Sequence, residues 1–197
     1  QNFSIYAEIY PQISNANDDF EIISQWGQHP GNMGESWRLY LTTQNEIIWE
    51  AYNDSEQYFN FSGNIDNSEQ LNITLTRNGN LWSIYSDNTL IASNETIESP
   101  NIYVSSDNIN IGARLNGNDN RFTGLISKMY LIDRFLSNEE IMNEISDDDS
   151  DLLAYYKFNS GEGEILYDHS GNQNHGTIYG AIWVENVYGC TDSLAMN

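Results

Sequence analysis

The sequence predicts an all-β protein, built as a two-sheet antiparallel sandwich with one short helix. Three observations support this prediction. Apolar and polar residues alternate over many short segments, turn-forming residues bound each segment, and one segment carries a clear helix-start signal. Regularly spaced short strands separated by polar turns are typical of sandwiches and barrels.

Strand-like segments fill most of the first 135 residues. They are Phe3–Tyr10, Phe20–Trp26, Ser36–Thr43, Glu46–Tyr52, Gln57–Phe61, Gln70–Arg77, Asn80–Ser86, Thr89–Ala92, Asn108–Gly112 and Phe122–Asp133. The dipeptide Asn78-Gly79 lies between two of them and is the strongest hairpin signal in the chain. Asp87-Asn88 predicts a second tight turn.

The helix is predicted over residues 137–146. Ser137 and Glu140 have the spacing of a capping box, in which each side chain bonds the backbone amide of the other residue. Ile141 and Ile145 then fall on one face of the helix.

A second β block follows an acidic connector at 147–151, which we expect to be solvated. The block comprises Leu152–Phe158, Glu164–Tyr167 and Thr177–Trp183. A segment of about 30 residues cannot bury a stable core alone. We therefore expect it to fold back and complete the sheets of the first block, which would otherwise expose unpaired edges.

The charge of the chain excludes two classes of partner. It carries 7 lysine and arginine residues against 29 aspartate and glutamate residues, a net charge of −22. Nucleic acids and anionic lipids both attract clustered cations, which this chain lacks. No apolar run approaches the ~18 residues of a membrane span. We expect neither a nucleic-acid partner nor membrane insertion.

The loop from Asp168 to Gly176 is rich in oxygen ligands. Asp168 is expected either to cap its own turn by accepting backbone N–H bonds or to bind Ca²⁺ together with Asn172 and Asn174. His169 and His175 lie in the same loop, but no third soft ligand is near enough in sequence to favour zinc.

The only cysteine, Cys190, cannot form an internal disulfide. It is either a free thiol or half of a disulfide whose partner lies outside this chain.

Three stretches carry a family pattern. Thr76–Asn88 has a hairpin with an aromatic-rich second strand, Phe122–Ile141 has a strand followed by a turn and a short Glu-Ile helix, and Leu153–Ile178 contains an Asp-x-Ser-Gly-Asn loop. Together they resemble the laminin-G-like, concanavalin-A-like lectin and glucanase jelly rolls. The resemblance implies one jelly roll over residues 1–183, in a secreted or cell-surface multi-module protein of marine bacterial type.

The chain departs from the family in two places. A Phe-Asp-Gly strand usually precedes the segment that starts at Phe3, so the jelly roll is expected to lack its first strand. Ser127-Lys128 stands where the family often has an acidic pair. Both changes remove carboxylates that can bind Ca²⁺. Residues 184–197 resemble a linker or the start of a cysteine-containing repeat, which implies an oxidising compartment and a partner for Cys190 outside the chain.

The sequence shows no catalytic carboxylate pair. Hydrolases of this fold class place acids at short intervals along one strand, whereas the nearest run here, Glu46–Glu50, has no acid between its ends. The leading hypothesis is therefore a non-catalytic binding or adhesion module for a glycan or another extracellular polymer. A glycoside hydrolase or lyase of the same fold and a purely structural spacer are the alternatives.

One group of residues predicts a ligand surface. In the predicted strand that contains residues 37–41, alternation turns Arg38 and Tyr40 away from the core. Glu50 and Tyr52 can lie beside them on the neighbouring strand. Arginine, carboxylate and tyrosine side chains on one sheet face are the residue types that bind sugars. We expect this face to be solvent-exposed.

Overall fold

The computed structural model of the 197-residue chain describes most of the sequence. The described residues are 2–13, 19–26, 35–53, 55, 57–66, 69–95, 101–103, 105–114, 120–143 and 145–184. Cys190 and His29 lie outside them, so the predictions for Cys190 stay predictions.

Thirteen strands and one helix are formed by the described residues. The strands are β1 Phe3–Pro11, β2 Phe20–Trp26, β3 Glu35–Leu41, β4 Glu46–Tyr52, β5 Tyr58–Asn64, β6 Leu71–Asn78, β7 Leu81–Ser86, β8 Thr89–Glu95, β9 Asn110–Ile111, β10 Gly124–Ile132, β11 Leu152–Tyr156, β12 Ile165–Leu166 and β13 Gly176–Thr177. The helix α1 spans Asn138–Met142. No helix among the described residues is long and apolar enough to cross a membrane.

Two antiparallel sheets make up the sandwich. The six-stranded sheet has the order β11-β10-β1-β6-β7-β8, and the five-stranded sheet has the order β5-β4-β3-β2-β9. The neighbours in each sheet pair antiparallel. This arrangement confirms the predicted all-β jelly-roll sandwich.

The core lies between the two sheets and is filled by alternate residues of each strand. Ile5, Ala7 and Ile9 of β1 face Leu39 and Leu41 of β3 across it, and all five are fully or almost fully buried. Facing apolar rows of this kind are what hold two sheets together.

Stacked indoles join the two sheets through the core. Trp49 of β4 stacks on Trp82 of β7 with ring centroids 5.7 Å apart, and Trp37 stacks on the other side of Trp49 at 5.4 Å. Trp49 and Trp82 are completely buried. These three tryptophans are therefore structural and leave Trp26 as the indole closest to the ligand surface predicted from the sequence.

Both predicted hairpin turns are present. Gly79 has φ 61° and begins a two-residue loop between the paired residues Asn78 and Leu81. Asp87 and Asn88 have φ 47° and 66°, the left-handed pair that a type I′ turn requires. Asparagine and aspartate tolerate this conformation better than other non-glycine residues.

The helix is shorter than predicted. Its capping box is formed, with Glu140 Oε2 accepting from the Ser137 amide at 2.9 Å and Ser137 Oγ accepting from the Glu140 amide. It ends at Met142 instead of continuing to residue 146, because Asn143 takes an extended conformation and its side chain bonds the Glu139 carbonyl oxygen. The helix packs on the outer face of the six-stranded sheet through Ile141.

The acidic connector is mostly exposed, as predicted, but three of its aspartates also form ion pairs. Arg134 contacts Asp149 and lies 3.2 Å from Asp151, and Lys157 lies 3.0 Å from Asp147. These pairs lie at the partly exposed surface, where solvent and salt screen their attraction. Together they fix the chain between α1 and β11.

The segment after the connector returns to the sandwich. The strand β11 pairs with β10 and forms one edge of the six-stranded sheet. The short strands β12 and β13 pair with each other, and Leu166 of β12 packs into the main core. The predicted strands at 164–167 and 177–183 are therefore much reduced, and residues 178–183 follow β13 without regular strand structure.

Candidate functional site

The outer face of the five-stranded sheet carries the four ligand residues predicted from the sequence. Arg38 on β3 pairs directly with Glu50 on β4, and Tyr52 on β4 pairs with Tyr58 on β5. Tyr40 lies two residues along β3 from Arg38, on the same face. The alternation argument therefore placed all four side chains on the correct side of the sheet.

Three carboxyl groups surround the Arg38 guanidinium. Its Nε donates to Glu50 Oε1 in a short ion pair. Its Nη1 lies 3.3 Å from Asp19 Oδ2 and 3.6 Å from Glu21 Oε2. Arg38 and Glu50 are only 7% and 5% exposed, so the predicted solvent face is wrong at this point. The neighbouring side chains of the cluster cover the pair.

Aromatic rings enclose the same guanidinium. The Tyr40 ring lies 3.8 Å from Arg38 Cζ and the Trp26 ring lies 5.1 Å from it. Tyr40 and Tyr58 each donate their hydroxyl to Glu50 Oε2, at 3.2 and 2.7 Å. Glu50 therefore receives three donors and is fixed in position. We call Asp19, Glu21, Trp26, Arg38, Tyr40 and Glu50 the Arg38 cluster.

Two tyrosines form the open rim of the Arg38 cluster. Tyr58 is 47% exposed, and its ring lies 5.3 Å from that of Tyr52. Tyr52 in turn contacts Trp26, at 6.2 Å between centroids. A flat, exposed tyrosine beside a fixed carboxylate is an arrangement that can stack on a sugar ring and accept bonds from its hydroxyls.

Glu21 is the least satisfied group in the cluster. Its side chain is completely buried, yet neither carboxyl oxygen has a hydrogen-bond partner. Ser24, on the same strand, donates its hydroxyl to the Ala113 carbonyl oxygen and lies close enough to Glu21 to lower the pKa of that carboxyl slightly. Burial raises the pKa of Glu21 to about 8, although Arg38 and Arg114 pull it down. Glu21 is therefore largely protonated at neutral pH.

Arg38, Tyr40 and the rim residue Tyr58 each stay in one protonation state near neutral pH. Burial alone would lower the pKa of Arg38, but the Glu50 hydrogen bond and the charges of Glu21 and Glu50 raise it above its ordinary value. Burial raises the pKa of Tyr40, with Glu50 adding to the effect. Burial and the bond to Glu50 raise the pKa of Tyr58 to about 12. Arg38 is thus a permanent cation and both tyrosines remain hydroxyl donors.

In the Asp168 loop, residues 168–176, the buried carboxylate is fully hydrogen-bonded, unlike that of Glu21. Asp168 Oδ1 accepts from the amides of Tyr155 and Ser170, both at 2.9 Å. Its Oδ2 accepts from the Ser170 hydroxyl and the Asn174 amide, again at 2.9 Å. Burial alone would raise the pKa of Asp168, but the three backbone donors outweigh it and hold the pKa below its ordinary value.

The two asparagines predicted to join Asp168 at a metal point their amide nitrogens at the backbone. Asn172 Nδ2 donates to the Leu152 carbonyl oxygen at 2.7 Å, and Asn174 Nδ2 donates to that of Leu153 at 2.8 Å. The loop is thus tied to β11 on several sides. Calcium binding by Asp168, Asn172 and Asn174 stays a prediction.

The histidines of this loop have structural contacts as well. His175 Nδ1 accepts from the Asp168 amide at 3.0 Å, and the His169 ring lies against Tyr155. Within the residues that the structure describes, no three His, Cys, Asp or Glu side chains are grouped so that they could hold a metal ion.

Comparison with known proteins identifies the family of this sandwich. A sequence model described as the concanavalin A-like lectin/glucanases superfamily matches residues 1–142. The chain belongs to this superfamily. The resemblance found in the sequence is confirmed, and a comparison with curated protein sequences found no match.

Solved structures share the concanavalin A-like fold. The CBM40 of the Ruminococcus gnavus IT-sialidase, bound to α2,3-sialyllactose, has a TM-score of 0.61 at 18% identity, covering 72% of this chain and 81% of that one. A Bacteroides ovatus protein described as carbohydrate-binding has a TM-score of 0.66 at 15% identity, covering 92% and 55%. The receptor-binding domain of botulinum neurotoxin type G has a TM-score of 0.54 at 22% identity, covering 72% and 36%. At these identities the likeness is one of fold.

A second concavity of this concanavalin A-like chain was not predicted. It lies on the outer face of the six-stranded sheet, beside α1, and encloses about 310 Å³. Tyr6, Thr74 and Lys128 form its floor, and Ile141 and Met142 of the helix form one wall. Its walls contact one another through ordinary hydrogen bonds, such as Tyr6 to Asn72 at 2.9 Å.

Sequence reasoning missed three members of the site, Asp19, Glu21 and Tyr58. Asp19 lies in the connection before β2, and the rim residue Tyr58 lies on β5, so only the three-dimensional register brings them to Arg38. Trp26 is turned onto this face beside a bulge in β2. Glu21 did leave a signal, because an acid inside the apolar run Phe20-Glu21-Ile22-Ile23 is unusual for a buried strand.

Proposed function

We propose that this chain is a non-catalytic carbohydrate-binding module whose ligand surface is the Arg38 cluster and its tyrosine rim. The observation that carries the proposal is the pairing of a fixed, buried polar group with an exposed aromatic face. Glu50 is held by three donors, and Tyr58 beside it is 47% exposed. Preorganised polar groups under an open aromatic surface suit a ligand with both hydroxyl groups and an apolar ring face.

The shared fold supports the same conclusion. Two of the similar structures are named for carbohydrate binding, and one of them holds a sialyllactose. We place the module in a larger secreted or cell-surface protein, where its ligand would be a glycan or another extracellular polymer.

A glycan array of the full chain tests the proposal, with Tyr58→Ala as the informative variant. Loss of the exposed ring should weaken binding by about tenfold or more, because exposed aromatic anchors dominate such interfaces. Tyr167→Ala is the matched control, since Tyr167 is 46% exposed but lies beside the Asp168 loop. Equal binding by both variants would show that the ligand lies elsewhere.

Arg38→Ala and Tyr40→Ala are poorer tests of the same site. Removing Arg38 leaves Glu50 buried without its cation, which costs about 3–5 kcal/mol. A loss of binding would then report unfolding. Tyr58 avoids this problem because most of its ring contacts lie at the surface.

A hydrolase of the same fold is the second candidate. Two carboxyl groups, Glu21 and Glu50, flank Arg38, and the raised pKa of Glu21 is a feature of general acids. The complete burial of Glu21 argues against direct contact with a glycosidic bond. Reducing-end release from the glycans that bind in the array decides between the two functions. A chain that binds but releases no reducing ends is a binding module.

A further inference from the structure

Two of the three nitrogens of the Arg38 guanidinium already contact carboxylates of the protein. Arginine grips carboxylates through two parallel N–H···O bonds. Every such pair on a guanidinium includes either Nε or Nη1. In this chain Nε donates to Glu50, and Nη1 lies within ion-pair distance of Asp19 and Glu21. A sugar carboxylate bound to Arg38 in this way would have to share Nε with Glu50 or Nη1 with Asp19.

The balance of charge around the site also disfavours an anionic ligand. Three carboxyl groups, from Asp19, Glu21 and Glu50, face two guanidinium groups, from Arg38 and Arg114. Arg114 lies over the Trp26 ring, with its Cζ 5.7 Å from the ring centroid. The cluster therefore has no surplus positive charge, and the net charge of −22 on the whole chain adds a field that repels anions.

The groups left for a ligand suit uncharged hydroxyls. The Asp19 side chain is 35% exposed, so its carboxylate can accept hydrogen bonds from outside the protein. Tyr58 offers an exposed ring face, and its hydroxyl is anchored on Glu50 at 2.7 Å. Carboxylates that accept bonds from sugar hydroxyls, next to an aromatic face, bind neutral sugars without requiring a charge on the ligand.

We infer that the Arg38 cluster selects neutral glycans and discriminates against sialylated and uronate-bearing ones, with Asp19 as the specificity-determining residue at its rim. This inference rests on the proposed carbohydrate-binding function. The fold relative solved with sialyllactose holds a sialylated glycan, so the inference predicts a different ligand preference for this chain.

An array of matched glycan pairs tests the inference. Each neutral oligosaccharide, such as lactose, is printed beside its sialylated form, such as 3′-sialyllactose, and binding is measured at low salt. The neutral members should bind at least about tenfold more tightly, since like charges placed together at an interface are costly. Equal or tighter binding of the sialylated members would overturn the inference and leave the proposed function standing. Binding to no glycan at all would overturn both.

Asp19→Asn gives a second, independent test. The substitution keeps the shape of the side chain but removes one carboxylate from Arg38 Nη1, so the neutral-to-sialylated affinity ratio should fall severalfold. Asp148→Asn makes the same change in net charge on the exposed connector after α1 and should leave the ratio unchanged. An unchanged ratio in Asp19→Asn, or an equal fall in both variants, would contradict the role assigned to Asp19.

Discussion

Asp168 and Glu21 are both buried carboxyl groups, but their hydrogen bonding differs. Asp168 lies in a loop beside β11, and Glu21 lies on β2. Asp168 accepts four hydrogen bonds from its own loop and from β11. Glu21 accepts none and lies 3.6 Å from the nearest Arg38 nitrogen. The same functional group is a structural anchor in one place and an unsatisfied polar group in the other.

The pKa shifts of the two carboxyl groups have opposite signs because a different interaction dominates at each one. Backbone donors hold the pKa of Asp168 below its ordinary value, so its contribution to stability is present at neutral pH and is lost as the solution is acidified. Burial raises the pKa of Glu21 from 4.5 to about 8, so its contribution is complete below pH 4.5 and is lost as the pH rises towards 8. A buried polar group without partners is costly, and proteins keep such groups mainly where function requires them.

Of changes to these two carboxyl groups, removing Asp168 should destabilise the fold most at neutral pH. Asp168→Ala leaves the Tyr155 amide and two loop amides without their acceptor, so the free energy of unfolding should fall by about 3 kcal/mol at pH 7. Urea denaturation measures the change. Ser170→Ala removes a single hydroxyl from the same loop and should cost under about 1 kcal/mol. Equal losses in the two variants would mean that Asp168 does not organise the loop.

Glu21→Gln should remove a pH dependence that the wild type has. Between pH 5 and 8 the buried acid lowers the free energy of unfolding by up to about 1.4 kcal/mol per pH unit, because only the unfolded chain readily releases its proton. The wild-type and Glu21→Gln denaturation curves, measured at pH 5, 6, 7 and 8, should therefore diverge as the pH rises, with the variant becoming the more stable.

The matched control for this titration is Glu162→Gln, because Glu162 is exposed. Its unfolding free energy should follow the wild type at every pH. The charged groups that act on Glu21 are Arg38, Arg114 and Glu50. The control substitution changes none of these three residues. A Glu21→Gln curve parallel to that of the wild type would show that Glu21 is ionised throughout the range.

Local sequence patterns predicted the sandwich well. Period-two alternation located most strands of the two sheets to within a few residues, and positive-φ residues at Gly79, Asp87 and Asn88 marked two hairpins. Strand alternation and tight turns are determined by residues close together in the sequence, so they can be predicted from it. The helix end was missed because the Asn143 side chain bonds the backbone, which competes with helix continuation and leaves little trace in the periodicity.

The candidate site was predicted only in part, for a physical reason. Alternation fixes which face of its own strand a side chain occupies, so Arg38, Tyr40, Glu50 and Tyr52 were found together. Alternation does not show how deeply a side chain is buried. Burial also depends on which other segments of the chain cover that face of the sheet. Arg38 was therefore expected in solvent, and Asp19 was not expected beside it.

Calcium should produce the smallest effect of all, and it tests the Asp168 loop directly. Four donors already occupy the lone pairs of the Asp168 carboxylate, and Asn172 and Asn174 direct their amide nitrogens at β11. A calcium ion bound by these three residues would have to compete with those donors. We therefore expect the same Tm in excess EDTA and in excess Ca²⁺. A ligand that binds the folded state must raise its stability by mass action, so a higher Tm in Ca²⁺ that Asp168→Asn abolishes would establish the metal site.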